Sequence, residues 1–304
     1  MQASAGRITG EALERVAGPN SLLASLSPSH AHAFVDIPED VLQSISSVGE
    51  ESYDDIFGDL GSDLLDTKSI DSVHSFISSH QHRDQLTGAP KRQVIARVAG
   101  TGLAPWEIHR PQKFVRDLVL RGRCFGGRVL DAGCGIGDNA LFIAKACPQA
   151  RVTAVDVVPR CLEFAAAKAK LRGMSGKVQM MAADLLESDP CRQHEALSSP
   201  AADGTYDCVL DSSTFHCFGD DDRERYVAVL GRLLRRGGVL VMNCMSEEEG
   251  RPGGPRRITV QDLLSVFNRM SGWEVEVIED SIIELHPTFW GGKALARLFT
   301  IRKL

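Results

Sequence analysis

Residues 128–144, RVLDAGCGIGDNALFIA, constrain the fold of this chain more than any other stretch. Val129 and Leu130 read as a buried strand, and Asp131 closes it. Gly133, Gly135 and Gly137 space a tight turn, and a helix opens at Asp138. A strand that runs through glycines into a helix offers bare backbone N–H groups and a helix N-terminus to a ligand. In an open α/β sheet this is where a nucleotide-like molecule sits, at the carboxyl ends of the strands.

The following segments repeat the theme. Residues 151–159, RVTAVDVVP, predict a second buried strand that ends at Asp156, 19 residues beyond Gly137. An acid at that distance is placed to accept both ribose hydroxyls of a nucleoside. Its other reading is a cap for the helix over 161–171, which stops at Gly173. A third strand over 178–183 leads to Asp184 and Leu185, and an acid there can accept an adenine amino group. A fourth strand over 206–210 ends at Asp211 and runs into SSTFHCF. Then come a helix over 222–235 stopped by Gly237 and Gly238, a strand over 239–243, and a helix capped by Thr259 with Asp262. Strands over 272–278 and 295–303 close the chain. Alternating strands and helices with a final strand pair predict an open α/β sheet.

The amino-terminal part is different. Residues 1–90 carry 14 acidic and 4 basic residues, whereas the remainder carries 26 and 30. This asymmetry predicts an acidic, disordered extension over 1–90 joined to a globular domain over 91–304. Residues 52–66, SYDDIFGDLGSDLLD, alternate acids with apolar residues, as segments that fold on a protein partner do. The five histidines of the extension (His30, His32, His74, His80, His82) share no helical spacing and read as unstructured surface. No targeting peptide is evident, because Glu11 and Glu14 interrupt the first residues and an apolar core is missing. No apolar run is long enough to span a membrane. The eight cysteines lack metal-ligand spacing and read as reduced thiols of a cytoplasmic protein without a metal. Nothing in the charge pattern suggests a nucleic-acid surface.

The turn is G-x-G-x-G followed by Asp138, whereas dehydrogenases usually show G-x-G-x-x-G. An acid at the helix start opposes a diphosphate but suits a phosphate-free cation such as S-adenosylmethionine. Together with PWEIHRPQ (105–112), VLDSSTFHCFGDDDRERYVAVL (209–230) and GGPRRIT (253–259), the turn gives a specific resemblance over residues 100–304. The chain resembles class I S-adenosylmethionine-dependent methyltransferases. Within them it is similar to the thiopurine methyltransferase-like superfamily of thiol, halide and tellurite methyltransferases. The resemblance implies a Rossmann-like, seven-stranded, mostly parallel sheet with a carboxy-terminal antiparallel strand and helices on both faces. It implies that Asp131, Gly133, Cys134, Gly135 and Gly137 hold the methionine end of S-adenosylmethionine. Asp156 and Val157 would hold the ribose, Asp184 and Leu185 the adenine, and Trp106 would cover the site. Asp211 would lie close to the reactive methyl.

The expected reaction is in-line transfer of a methyl group to a small molecule, a thiol or other soft nucleophile by resemblance. His216 is the candidate base for a thiol or hydroxyl acceptor. Its competing role is structural, packed beside Phe215 and Phe218. Arg256 and Arg257 could draw in an anionic substrate or pair with Glu247–Glu249. The asparagine-proline motif of many amino-group methyltransferases is absent after the fourth strand, where Asp211-Ser212-Ser213 stands. A second reading is a partner-binding protein that uses the acidic tail, with the methyltransferase fold as a catalytically weak scaffold.

Overall fold

The computed structural model describes residues 34–35, 67–79, 83, 90–121, 124–187 and 195–304. The expectations for residues 1–33 and 36–66, and for His80 and His82, lie outside the described residues.

Seven strands form one sheet: β1 (Gly127–Ala132), β2 (Ala150–Asp156), β3 (Val178–Ala182), β4 (Tyr206–Ser212), β5 (Leu234–Met245), β6 (Trp273–Glu284) and β7 (Lys293–Lys303). Their order is β3-β2-β1-β4-β5-β7-β6. The first five are parallel, and β7 inserts antiparallel between β5 and β6. This is the Rossmann-like arrangement expected for the class, with the order reversing between β1 and β4. The carboxyl ends of those two strands therefore open a crevice.

Among the described residues, seven helices accompany the sheet: α1 (Thr67–Ser78), α2 (Arg92–Val98), α3 (Lys113–Leu120), α4 (Asp138–Ala146), α5 (Pro159–Leu171), α6 (Asp220–Leu233) and α7 (Val260–Val266). Both faces of the sheet are covered because consecutive strand residues point to opposite sides. Val129, Val152, Ala154 and Leu210 face the side of α3, α4 and the end of α5. Leu130, Val155, Val209 and Leu240 face the side of α6 and α7. The Thr259 capping box at α7 forms as expected, with Asp262 N–H donating to Thr259 Oγ1 over 2.9 Å.

Three expectations change. The helix expected over 222–235 ends at Leu233, and β5 begins at once and runs through both glycines. The β4–β5 register shifts between Tyr206 and Cys208, which lets the glycine pair remain in the strand. The ordered fold also reaches back before residue 90. In α1, Ile70, His74 and Ile77 are buried, and His74 meets Phe289 edge-on at 4.9 Å, so this histidine is not surface. Cys134, Cys161, Cys208, Cys217 and Cys244 are free thiols, but Cys147 is disulfide-bonded, and no C-x-x-C spacing announces it. No helix among the described residues is long and apolar enough to cross a membrane, and no metal-ligating cluster occurs among them.

Candidate active site

A cavity of about 460 Å³ opens over the carboxyl ends of β1, β2 and β4. One wall is the glycine turn with Asp156, Val157, Asp184 and Leu185. The opposite wall is Met245, Ile283, Leu285, Phe289 and Trp290. Trp106 lies between, in contact with three apolar clusters: α1 with Val98, the start of α5, and the β6–β7 end. It both plugs the edge of the core and lines the cavity, so its two sequence readings coexist.

The glycine turn is built differently from an anion cradle. Gly133 and Cys134 donate their N–H groups to the Val155 carbonyl over 2.8 and 2.9 Å. Gly135 N–H donates to Asp156 Oδ2 over 2.8 Å, and Gly137 N–H to the Cys134 carbonyl. The turn donors expected to be bare are therefore engaged, and a diphosphate finds few of them. The charge expected to repel it is also compensated: Lys168 Nζ lies 2.6 Å from Asp138 Oδ2, both side chains buried. The engaged N–H groups, and not a bare acid at Asp138, are what disfavour a diphosphate here.

Gly133 is required by close approach. Its φ is +74°, and a Cβ there would lie 2.1 Å from Thr214 Oγ1. Over Gly135, by contrast, a Cβ would meet nothing within 4 Å, which leaves room for a ligand against the backbone.

Asp131 sits behind this turn, 1% exposed; no side chain pairs with its carboxylate, and the Ala140 N–H is the one donor acting on it, too poorly placed for a close hydrogen bond. Burial, and then the charges of Asp156 and Asp211, push its pKa up to about 7. Asp131 is not among the residues that line the cavity, so its charge reaches a ligand there only through the glycine turn. Asp156 is held by Gly135 N–H and by Val158 N–H over 2.8 Å, which aims the carboxylate at the cavity wall, and burial raises its pKa. Asp184 accepts from Leu186 N–H and pairs with Arg92 of α2 at 2.5 Å.

The two candidate catalytic residues are both committed to the loop after β4. Asp211 is fully buried and accepts from Thr214 N–H, Phe215 N–H and the Tyr226 hydroxyl. Burial pushes its pKa up to about 6 against those three donors. His216 lines the cavity, but its Nδ1 accepts from Met245 N–H over 3.0 Å. That bond leaves the proton of the neutral ring on Nε2, so the ring offers a donor and no free acceptor. Burial, and then Arg223 and Arg257, lower its pKa to about 3. Of the two roles expected for His216, this geometry favours packing over a base.

Arg256 and Arg257 do not face the cavity as anion receptors. Arg256 pairs with Asp220, and Arg257 donates to the carbonyls of Glu249, Arg251, Gly253 and Pro255. Neither pairs with Glu247–Glu249 through side chains: Glu249 pairs with Arg251, and Glu247 and Glu248 pair with Arg297. Arg257 is the internal knot of the loop that brings Gly254 and Pro255 to the cavity. Sequence reading missed Glu107, Ile95 and the other α2 residues at the wall. The spacing of Val94, Ile95 and Val98 was the available signal for α2.

The Rossmann-like fold and the similarity to known proteins support an S-adenosylmethionine-dependent methyltransferase. Residues 129–238 match the family described as a methyltransferase domain. The chain is 23% identical over 186 residues to "Probable thiol methyltransferase 2" of Arabidopsis thaliana, covering 61% of this chain and 76% of that protein. It is 26% identical over 176 residues to a 2-heptyl-1-hydroxyquinolin-4(1H)-one methyltransferase of Mycobacteroides abscessus, covering 57% and 70%. A solved structure described as "Conversion of a Disulfide Bond into a Thioacetal Group during Echinomycin Biosynthesis" superposes with a TM-score of 0.54 at 26% identity, covering 66% of this chain and 84% of that one.

Proposed function

We propose that the chain methylates a small, apolar soft nucleophile, with a thiol as the acceptor, from S-adenosylmethionine held in the cavity beneath Trp106. When bound, the cofactor supplies a sulfonium-linked methyl group open to in-line displacement. Asp131 faces its amino end through the turn of Gly133, Cys134 and Gly135, and Gly137 lets that turn enter α4. Asp156 and Val157 take the ribose edge, and Asp184 and Leu185 the adenine edge. Asp211 holds the 212–218 loop in place. These residues align the donor and exclude water, which is where the rate advantage of such a displacement arises.

The observation that carries the acceptor reading is the far wall of the cavity. Met245, Ile283, Leu285, Phe289 and Trp290 make it apolar, and the nearby arginines Arg256 and Arg257 are spent on Asp220 and on loop carbonyls. Such a wall favours an apolar acceptor over halides and metalloid oxyanions. The similarity to a thiol methyltransferase supports sulfur as the nucleophile. With His216 neutral and hydrogen-bonded, the acceptor ionises without a protein base, as a thiol of pKa about 8.5 does to a few per cent at neutral pH. A screen with labelled methyl donor tests this: apolar thiols take up label, and iodide and tellurite do not. Transfer to the anions and none to thiols would overturn the reading.

A further inference from the structure

Glu107 forms part of the cavity wall yet is 1% exposed, and the chemistry above gives it no task. Three backbone N–H groups donate to its carboxylate. Gly100 donates to Oε1 in a short contact, Gly102 to Oε2 over 2.7 Å, and Ala104 to Oε2 over 3.4 Å. All three belong to the strap over residues 100–104 that joins α2 to Trp106. The strap is pressed onto the start of α5, where a Cβ at Gly100 would meet the Cys161 nitrogen at 2.7 Å. Arg160 of α5 donates to the carbonyls of Ala96, Arg97 and Ala99 and so closes the end of α2. α2 in turn gives Arg92, Val94, Ile95 and Ala96 to the cavity wall. One carboxylate therefore holds the turn from which α2 and the Trp106 indole both hang over the site.

Hydrogen bonds to a charged acceptor are roughly twice as strong as those between neutral groups. A protonated Glu107 also turns one oxygen into a donor that opposes the strap N–H groups. The groups facing it come from three elements. Lys168 of α5 is bound to Asp138 of α4, which Arg172 also approaches at 3.6 Å. His109 lies on the same loop with Nε2 on the Gly102 carbonyl over 3.0 Å, and burial keeps its ring towards the neutral form. The Cys161 thiol at the start of α5 is protonated, its pKa raised by burial. Burial lifts the Glu107 carboxyl to about 7, against the three N–H groups and Lys168, so its ionisation changes across the neutral range.

We propose that Glu107 is a positioning residue for the cofactor: as a carboxylate it fixes the strap so that Trp106 and α2 close on S-adenosylmethionine, and binding favours the ionised form. This rests on the reading of the cavity as the cofactor site.

Calorimetric titration of S-adenosylmethionine into the full chain at pH 6 and pH 8 tests it, with wild type, Glu107→Gln, Glu107→Asp and Asp156→Ala compared. Wild type is expected to bind roughly five- to tenfold more tightly at pH 8 than at pH 6, as linkage to a group titrating near neutrality requires. Glu107→Gln is expected to bind about tenfold more weakly at pH 8 and to lose most of the pH difference, one pKa unit corresponding to a factor of ten. Because Asp131 titrates in the same range, the comparison between variants isolates Glu107. In turnover, the KM for the donor rises in Glu107→Gln while kcat at saturation stays within about threefold, the split expected when ground-state and transition-state binding are lost together. Glu107→Asp keeps the pH difference at lowered affinity, and it carries the test if the amide variant does not fold. Wild-type affinity and pH dependence in both Glu107 variants, with binding weakened in Asp156→Ala, overturn the role of Glu107 alone. If Asp156→Ala also binds like wild type, the reading of the cavity falls with it.

Discussion

The backbone N–H of Met245, near the end of β5, donates to Nδ1 of His216 over 3.0 Å. This bond joins the loop after β4 to the strand beside it, and it consumes the only nitrogen through which a neutral His216 could take a proton. His216→Asn is therefore expected to keep kcat within about tenfold of wild type and to leave the shape of the pH–rate profile unchanged. A general base is worth roughly 10²–10⁴ in rate, so a loss in that range with a flattened profile would restore His216 as the base. The orphaned Met245 N–H costs about 1–3 kcal/mol, which urea unfolding would register.

Without a protein base, the pH dependence of turnover belongs to the acceptor. At saturating S-adenosylmethionine, where ionisation of Glu107 no longer limits donor binding, the rise of kcat/KM for the acceptor with pH is expected to track each thiol's own pKa across a series of apolar thiols. A break at one fixed pH for every thiol would show that a protein group controls the proton.

The pair Gly133 and Thr214 locks the glycine turn to the β4 loop. A Cβ at Gly133 would lie 2.1 Å from Thr214 Oγ1 and 2.9 Å from Cγ2, and the backbone there has φ +74°. Gly133→Ala is expected to destabilise the protein by about 2 kcal/mol or more and to weaken cofactor binding. Adding Thr214→Ala removes the clash but not the backbone strain. The double variant therefore recovers part of the loss, a coupling that a double-mutant cycle measures. Additive effects would contradict the contact.

The buried acids carry a stability signature. Asp131 and Asp211 have folded pKa values of about 7 and about 6, both raised chiefly by burial. Against unfolded values near 3.9, about which Asp side chains ordinarily titrate, the folded state binds these protons more tightly. Their stabilising contribution is full below about pH 4 and is lost as pH rises through 6 and 7. Asp131→Asn removes the ionisation, so it is expected to raise the melting temperature relative to wild type at pH 8, with a smaller gain at pH 5 and little difference below about pH 4. It is also expected to weaken S-adenosylmethionine binding. A variant that melts lower than wild type at pH 8 would contradict the unpartnered state of Asp131.

The first four strands were legible because each is a short apolar run closed by an acid, and because those runs alternate with helices. Asp131, Asp156 and Asp184 stand at consecutive strand ends by that same pattern. What the sequence hid depends on contacts between distant residues. Arg83 donates to the Gly254 carbonyl over 2.5 Å across 171 positions, and no local spacing reports such a bond. The apolar residues Val73 and Ile77 of α1 are separated by polar ones in an acidic stretch and gain their apolar partners from Val98, Ala104 and Trp106. The role of His216 was open for a similar reason. A loop histidine beside two phenylalanines reads equally as base or as packing until the strand that donates to it is in view. Asp138 was read as a bare charge because Lys168 lies 30 residues away, on the next helix.

Calorimetric titration of the full chain with S-adenosylmethionine at pH 8, repeated in the presence of S-adenosylhomocysteine and of NAD, tests the central claim most directly. The account predicts one site per chain, competed by S-adenosylhomocysteine, untouched by NAD and strongly weakened by Asp156→Ala. Binding of NAD with no heat from S-adenosylmethionine would contradict it.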